Sequence, residues 1–269
     1  MSAARPFAEW SPALAEACAA SATFRVAHAL AETPSTQDAP ETRAARPGTV
    51  VAAWRQTDGR GRFGRKWSDL ATAGVAATFV VDDQPSERLA IAGAVAAAEA
   101  AEACLGRRVG LKWPNDVVFE GRKLAGVLIE RGAGRALVGI GLNVAHRSFP
   151  PELEDRATSL ALLGAEVDRL EVLRALVASL DRALVASDGR LVEAFLARDA
   201  LGGTRALFAT PEGPVEGEVR SIDPMRGLLV RTETGERFLP ASSTSVAEWA
   251  RVSRASPQAG AAHPPMSPP

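Results

Sequence analysis

Four cations fall within seven residues, at Arg60, Arg62, Arg65 and Lys66, set among Gly59, Gly61 and Gly64. Glycines let a main chain approach a ligand closely, and guanidinium and ammonium groups pair with phosphate oxygens. Segment 59–67 is therefore read as a loop that surrounds a polyphosphate. Like charges this dense repel one another, so the loop is expected to be poorly ordered until an anion neutralises it. The same residues satisfy G-x-G-x-x-G, with Asp82 at the spacing of a ribose-binding acid. A dinucleotide fold, however, needs a helix to begin here. Trp67-Ser68-Asp69 does not continue an apolar helical face, and cations occupy the turn. A solvated basic loop is the plain alternative.

Lys112-Trp113-Pro114-Asn115-Asp116 places a lysine at a strand end, followed by an aromatic ring and a proline that interrupts the ladder. A compact ammonium with three donors can follow the charge that develops when a carboxylate attacks a phosphate. The alternative is a surface lysine in a hairpin. In Gly139-Ile140-Gly141-Leu142-Asn143-Val144, two glycines expose the main chain of a strand to a flat base or a ribose, and Asn143 can meet a phosphate oxygen or a nucleotide edge. A bulged core strand would look the same. Ser35, Thr36 and Gln56 are small or amide hydrogen-bonders suited to orienting a neutral polar head group such as a ureido ring.

The elements that must position these groups are legible. Residues 11–31 predict a short helix and then a strand ending near Glu32, and Pro34 biases Thr33 away from helix. Residues 49–55 and 77–81 read as strands, and 86–105 as an Ala-rich helix behind a serine start signal. Strand-like runs follow at VGLKW, DVVFE, LAGVLIERG and ALVGIGLNV, with Gly121-Arg122 read as a hairpin turn. Residues 151–160 read as a loop, and 166–198 as one or two amphipathic helices. The texture changes after Gly202-Gly203. Between 204 and 248, the runs RALFAT, VEGEVRSI, GLLVRT and ERFLP imply a small β-barrel, and the Ser, Pro and Ala-rich tail beyond it reads as disordered.

Composition narrows the class. A net charge of −1 disfavours dedicated nucleic-acid binding. Cys18 and Cys104 match no metal or redox spacing and read as buried free thiols. His28, His146 and His263 are scattered, so no metal site built from histidine is expected. With no long apolar run and no secretory signal, a cytoplasmic chain without a membrane segment is expected. Of 31 Lys plus Arg only three are Lys, there are two Asn and no Tyr, and all five rare residues (Lys66, Lys112, Asn115, Lys123, Asn143) lie between 66 and 143. This fits a GC-rich genome that keeps such residues where the chemistry needs them.

Taken in order, STQ (35–37), Gln56, GRGRFGRKW, KWPNDV, GRKLAGVLIE and GIGLNV resemble the biotin protein ligase family, the biotin–[acetyl-CoA-carboxylase] ligases. The resemblance runs from Thr33 to Asn143 and continues more weakly through TSL at 158–160 and the C-terminal β-module. It implies an α+β fold in which helices flank a mixed sheet, as in class II synthetases and lipoate ligases, followed by a small SH3-like β-barrel. The implied organisation is a catalytic domain over 1–200, the barrel over 201–250 and a disordered tail over 251–269.

The chemistry that the resemblance implies has two steps. ATP and biotin give biotinyl-5′-AMP and pyrophosphate, and a lysine of a biotin carboxyl carrier protein then attacks the mixed anhydride. On the family pattern Ser35, Thr36, Gln37 and Gln56 hold the biotin head group, while Arg60, Gly61 and Arg62 close over biotin and adenylate. Arg65, Trp67, Asn115, Gly126 and Asn143 join the nucleotide side, and Lys112 matches the catalytic lysine. Mg²⁺ would neutralise ATP oxygens, with Asn115 or Asp116 contributing indirectly at most. Lys123 is expected at the rim of the site without an assigned contact.

Two departures from the family pattern are visible. Gln37 stands where the family often has Asn, and Pro40 with the Arg-rich stretch 43–46 predicts that the next helix is short or displaced. Bifunctional members carry an N-terminal DNA-binding domain; only 34 residues precede Ser35, so a monofunctional ligase without repressor activity is expected, as a monomer or weak homodimer. The competing readings are a lipoate or octanoyl transferase on the same scaffold and a non-catalytic adaptor.

Overall fold

In the computed structural model, which describes residues 5–67 and 72–249, the chain forms two large sheets and a small two-stranded one, with helices packed against the first. In chain order the elements begin with α1 (Trp10–Ala19), β1 (Val26–Thr33), α2 (Pro40–Ala44), β2 (Thr49–Gln56), β3 (Gly59–Arg60), β4 (Lys66–Trp67) and β5 (Gly74–Asp82). They continue with α3 (Ser86–Leu105), β6 (Gly110–Lys112), β7 (Asp116–Phe119), β8 (Arg122–Gly132), β9 (Arg135–Asn143), α4 (Pro151–Glu154), α5 (Arg169–Val185) and α6 (Asp188–Leu196). The last five strands are β10 (Arg205–Thr210), β11 (Gly213–Asp223), β12 (Gly227–Thr232), β13 (Gly235–Pro240) and β14 (Ser245–Trp249).

The larger sheet has the order β1-β2-β5-β9-β8-β7-β6, and only β1 and β2 run parallel. Side chains alternate between its two faces. Val75, Ala77, Phe79, Val127, Val138, Ile140 and Leu142 are buried in the core beneath α3 and α5. Gly93 lets α3 lie close, because a Cβ there would stand 2.8 Å from Val127 Cγ1. Asp168 caps α5 by accepting from the Leu170 amide at 2.8 Å. Behind the sheet, the buried Arg169 guanidinium lies over the rings of Trp10 and Trp54 and donates to the carbonyls of Gly74 and Trp54.

The second sheet, β13-β12-β11-β10-β14, is wholly antiparallel and fits an SH3-like module. It meets the first near the β6 edge. Leu111 exchanges main-chain bonds with Arg198 and Ala200, covering that edge, and the buried Trp113 indole donates to the Pro224 carbonyl at 3.0 Å. The α+β architecture read from the sequence holds, with several adjustments. The β7–β8 turn falls at Glu120-Gly121, both with positive φ, one residue ahead of the expected Gly121-Arg122. Part of the expected loop over 151–160 is α4, and a fifth strand, β14, closes the second sheet. Helix α2 is short, as Pro40 and the arginines predicted. Cys18 is a fully buried free thiol that burial pushes up to about 11, whereas Cys104 is half-buried. The expected tail over 251–269 lies outside the described residues. No helix among the described residues is long and apolar enough to cross a membrane.

Candidate active site

A row of partnered residues crosses the open face of the large sheet: Lys112 pairs with Asp116, Asp116 with Gly126, Gly126 with Gly141, and Gly141 with Ala76. Small side chains make this row a trough with charge at one end. The Trp67 indole lies in it, so that a Cβ on Gly141 would stand 2.4 Å from Trp67 Cε2. Two residues along, a Cβ on Gly139 would stand 2.4 Å from Gln37 Oε1. The two glycines were read as clearing space for a flat ligand. In this structure they clear it for the chain's own indole and amide.

Polar groups ring the other end of the trough. Gln56 Oε1 accepts from the Thr36 main-chain N–H at 2.9 Å and from its hydroxyl at 3.3 Å. The Thr78 hydroxyl donates to Thr36 Oγ1 at 2.8 Å. Ser35, Thr36, Gln37 and Gln56 are all buried, and each donor or acceptor fixed by a neighbour presets how the next one faces. Gln37 Nε2 donates to Glu130 Oε2 at 3.0 Å.

At the charged end one carboxylate holds two lysines. Asp116 Oδ2 lies 2.9 Å from Lys112 Nζ, and Oδ1 lies 2.6 Å from Lys123 Nζ. Burial raises the Asp116 pKa, but the charges and hydrogen bonds of Lys123 and Lys112 outweigh it and hold the carboxyl down to about 2. Lys123 reaches this face because the β7–β8 register shifts after Val117: Asp116 faces Gly126, yet Val118 faces Lys123, leaving Leu124 as the extra residue. Its Nζ passes over Gly126, where a Cβ would stand 2.8 Å away, and lies 5.7 Å from the centre of the Trp67 ring. The Lys112 side chain is the more enclosed of the two, at 18% exposure against 38%.

Asn143 braces the same lysine. Its Nδ2 donates to the carbonyls of Thr158, at 3.0 Å, and Lys123, at 3.4 Å. The Lys123 main chain also bonds Arg156 and Thr158. With both amide hydrogens directed at carbonyls, Asn143 fixes the Lys123 backbone here and presents no donor to a phosphate.

The loop cations divide. Arg60 is neutralised by Asp38 and Glu130, and Lys66 faces Asp58 at 3.6 Å. Arg62 donates to Asn115 Oδ1 and to the Ala241 carbonyl, just after β13, both at 3.4 Å. Burial lowers its pKa against the opposing pull of Asp116. Asn115 is itself held, donating to the Val127 carbonyl at 2.5 Å.

These groups line two adjoining cavities. The smaller, about 50 Å³, is bounded by Ser35, Thr36, Gln37, Gln56, Arg60 and Gly126. The larger, about 470 Å³, is bounded by Arg65, Lys66, Lys112, Asp116 and Asn143, and by Ser245–Ala247 of the second sheet. Gly61, Arg62, Trp67, Asn115 and Lys123 line both. Every site residue expected from the sequence is thus brought together. Sequence reasoning missed Asp116 as the link between the lysines, Glu130, and the wall supplied by the second sheet. An Asp four residues after Lys112 was a visible signal; the other two depend on tertiary contacts.

Residues 30–145 match the model of the biotin/lipoate A/B protein ligase family. A biotin–[acetyl-CoA-carboxylase] ligase of Mycobacterium tuberculosis is 33% identical over 212 residues, 74% of this chain and 78% of that protein. The chain belongs to the biotin/lipoate A/B protein ligase family. Other relatives agree with that membership: the bifunctional ligase/repressor BirA of Bacillus spizizenii is 32% identical over 231 residues, 80% of this chain and 68% of that protein. The solved biotin protein ligase of Aquifex aeolicus, in complex with biotin and ATP, superposes with a TM-score of 0.75 at 31% identity, covering 83% of this chain and 99% of that one.

Proposed function

We propose that this ligase-family chain is an ATP-dependent biotin protein ligase that forms biotinyl-5′-AMP and passes biotin to a lysine of a biotin carboxyl carrier protein. The observation that carries the reading is the position of Lys123 Nζ between the polar recess and the cationic cavity, held by Asp116 at 2.6 Å. The recess takes the ureido head group on Ser35, Thr36, Gln37 and Gln56, with Arg60 and Gly61 at its mouth. The larger cavity takes the nucleotide, with Arg62, Arg65, Trp67, Lys112, Asn115, Gly126 and Asn143 around it.

In the first step a biotin carboxylate oxygen bonds to the α-phosphorus while the bond to pyrophosphate breaks. Two anions must meet, and a fixed ammonium at their junction stabilises the charge that develops. We assign that contact to Lys123, with Lys112, expected from the sequence to make it, sharing Asp116 as its partner. In the second step the neutral amine of the carrier lysine bonds to the acyl carbon and AMP leaves. Closure of segment 59–67 keeps water from the anhydride.

The residues present do not fit a protein-built Mg²⁺ cage. Both Asp116 oxygens are held by lysines, and no group of three or more His, Cys, Asp or Glu side chains among the described residues is arranged for a metal. We place Mg²⁺ with the phosphates of ATP as part of the substrate.

We take 1–200 as the catalytic unit and 201–250 as the barrel. Strand pairing supports this, since none of β10–β14 joins the larger sheet. Ahead of Ser35 the described residues form a short helical turn, α1 and β1, and Trp10, Leu14 and Cys18 of α1 are buried in the core. The reading further places the chain in the cytoplasm as a monomer or weak homodimer. Pyrophosphate exchange into ATP tests it. Exchange that depends on biotin and not on lipoate is expected, and its absence refutes the ligase reading.

A further inference from the structure

Glu130, on β8, bonds both the polar recess and the basic loop. Its Oε2 accepts from Gln37 Nε2 at 3.0 Å and from Arg60 NH2 at 2.9 Å, and its Oε1 pairs with Arg60 NH1 at 2.8 Å. Asp38, next to Gln37, takes the other edge of the same guanidinium, Arg60 Nε to Oδ2 at 3.0 Å. A carboxylate can only accept, so the Gln37 amide must turn its NH₂ to Glu130 and its oxygen the other way. That oxygen lies over Gly139, on the wall of the recess. A side chain that would otherwise present either a donor or an acceptor is thereby fixed as an acceptor.

We propose that Glu130 is a positioning residue for biotin recognition. It sets the polarity of the Gln37 amide, so that position 37 accepts a ureido N–H, and it ties that setting to the loop through Arg60. The inference rests on the biotin ligase reading above and adds a residue to it. The longer amide at position 37 thus has a physical account: Gln reaches Glu130 with its nitrogen while its oxygen stays over the glycine.

Glu130→Gln separates this role from general support. Its amide keeps the shape but offers one accepting oxygen in place of two, so Gln37 and Arg60 compete for it and the orientation of the Gln37 amide is no longer fixed. Calorimetric titration of the full chain with biotin, without ATP, is expected to show about tenfold weaker binding in Glu130→Gln. In a Gln37→Leu background the same substitution should add no further loss. Glu130→Asp keeps the charge but withdraws it by one methylene; it should weaken biotin in the same direction and serves if Glu130→Gln fails to fold. Unchanged biotin affinity in the Glu130 variants overturns the proposal, as do losses that multiply in the double variant. A wild-type chain that does not bind biotin at all overturns the ligase reading instead.

Discussion

Lys123 Nζ stands 2.6 Å from Asp116 Oδ1, although the two residues lie on neighbouring strands whose register breaks between them. The bulge brings the lysine to the face that carries the trough, and the carboxylate holds its ammonium over Gly126 at the junction of the two cavities. Lys112 shares that carboxylate from the edge strand and lines only the larger cavity.

The two lysines should therefore separate by kinetics. Lys123→Met removes the cation at the reacting centre and is expected to lower biotin-dependent pyrophosphate exchange by about a hundredfold or more, mainly in kcat. Lys112→Met leaves Lys123 in place with a less constrained partner, and a loss of about tenfold is expected. Steady-state exchange of both variants, with circular dichroism to confirm folding, checks the order. The reverse order would return the catalytic contact to Lys112.

Arg62 ties the basic loop to Asn115 and to the Ala241 carbonyl in the turn between β13 and β14. Arg62→Ala removes both contacts and the charge that the proposed function sets beside the adenylate. Biotinyl-AMP formed in a single turnover should leave about tenfold faster. The fraction of labelled adenylate retained after rapid desalting measures it, and an unaltered release rate would remove Arg62 from the closing loop.

The sequence disclosed the elements and the membership of the site more fully than its geometry. Helix α3 has the predicted limits, because alanine content and the left-handed Gly106 that ends it act locally, although Ser86 follows Pro85 and caps nothing. Lys112 was singled out because its pentapeptide is legible in one dimension. Lys123 is legible only as a residue at the rim of the site, without its contact, since its face depends on the extra residue Leu124 in the β7–β8 ladder, which strict alternation does not reveal. The Gly139 and Gly141 positions read correctly as places of close approach. What approaches is set by β3, β4 and the Gln37 loop, all distant in sequence.

Gly141→Ala tests that close approach. A methyl group there would stand within 3 Å of three atoms of the Trp67 indole, so the ring must leave the trough. Tryptophan emission should shift to the red as the ring meets water, and exchange activity should fall. The loss of stability should stay within about 1 kcal/mol, because the displaced group belongs to a loop side chain. Unchanged emission and activity would show that the indole does not rest on Gly141 in solution.

His146 gives the chain a pH dependence of its own, from a ring stacked on Phe149 of the larger cavity wall. The ring is buried, stacks on Phe149 with centroids 5.1 Å apart, and neither ring nitrogen has a hydrogen-bond partner among the described residues. Burial, with the charge of Arg169 added, pushes its pKa from 6.5 down to about 4. The unfolded chain thus takes up this proton near pH 6.5 and the folded chain only near pH 4. The stability linked to a neutral ring is complete above pH 6.5 and declines as pH falls towards 4, by at most about 1.4 kcal/mol per pH unit. Urea unfolding between pH 6.5 and 5 reads this slope where carboxylates contribute least. His146→Leu, which cannot charge, should flatten it, and a slope equal to that of the wild type would place the titrating group elsewhere.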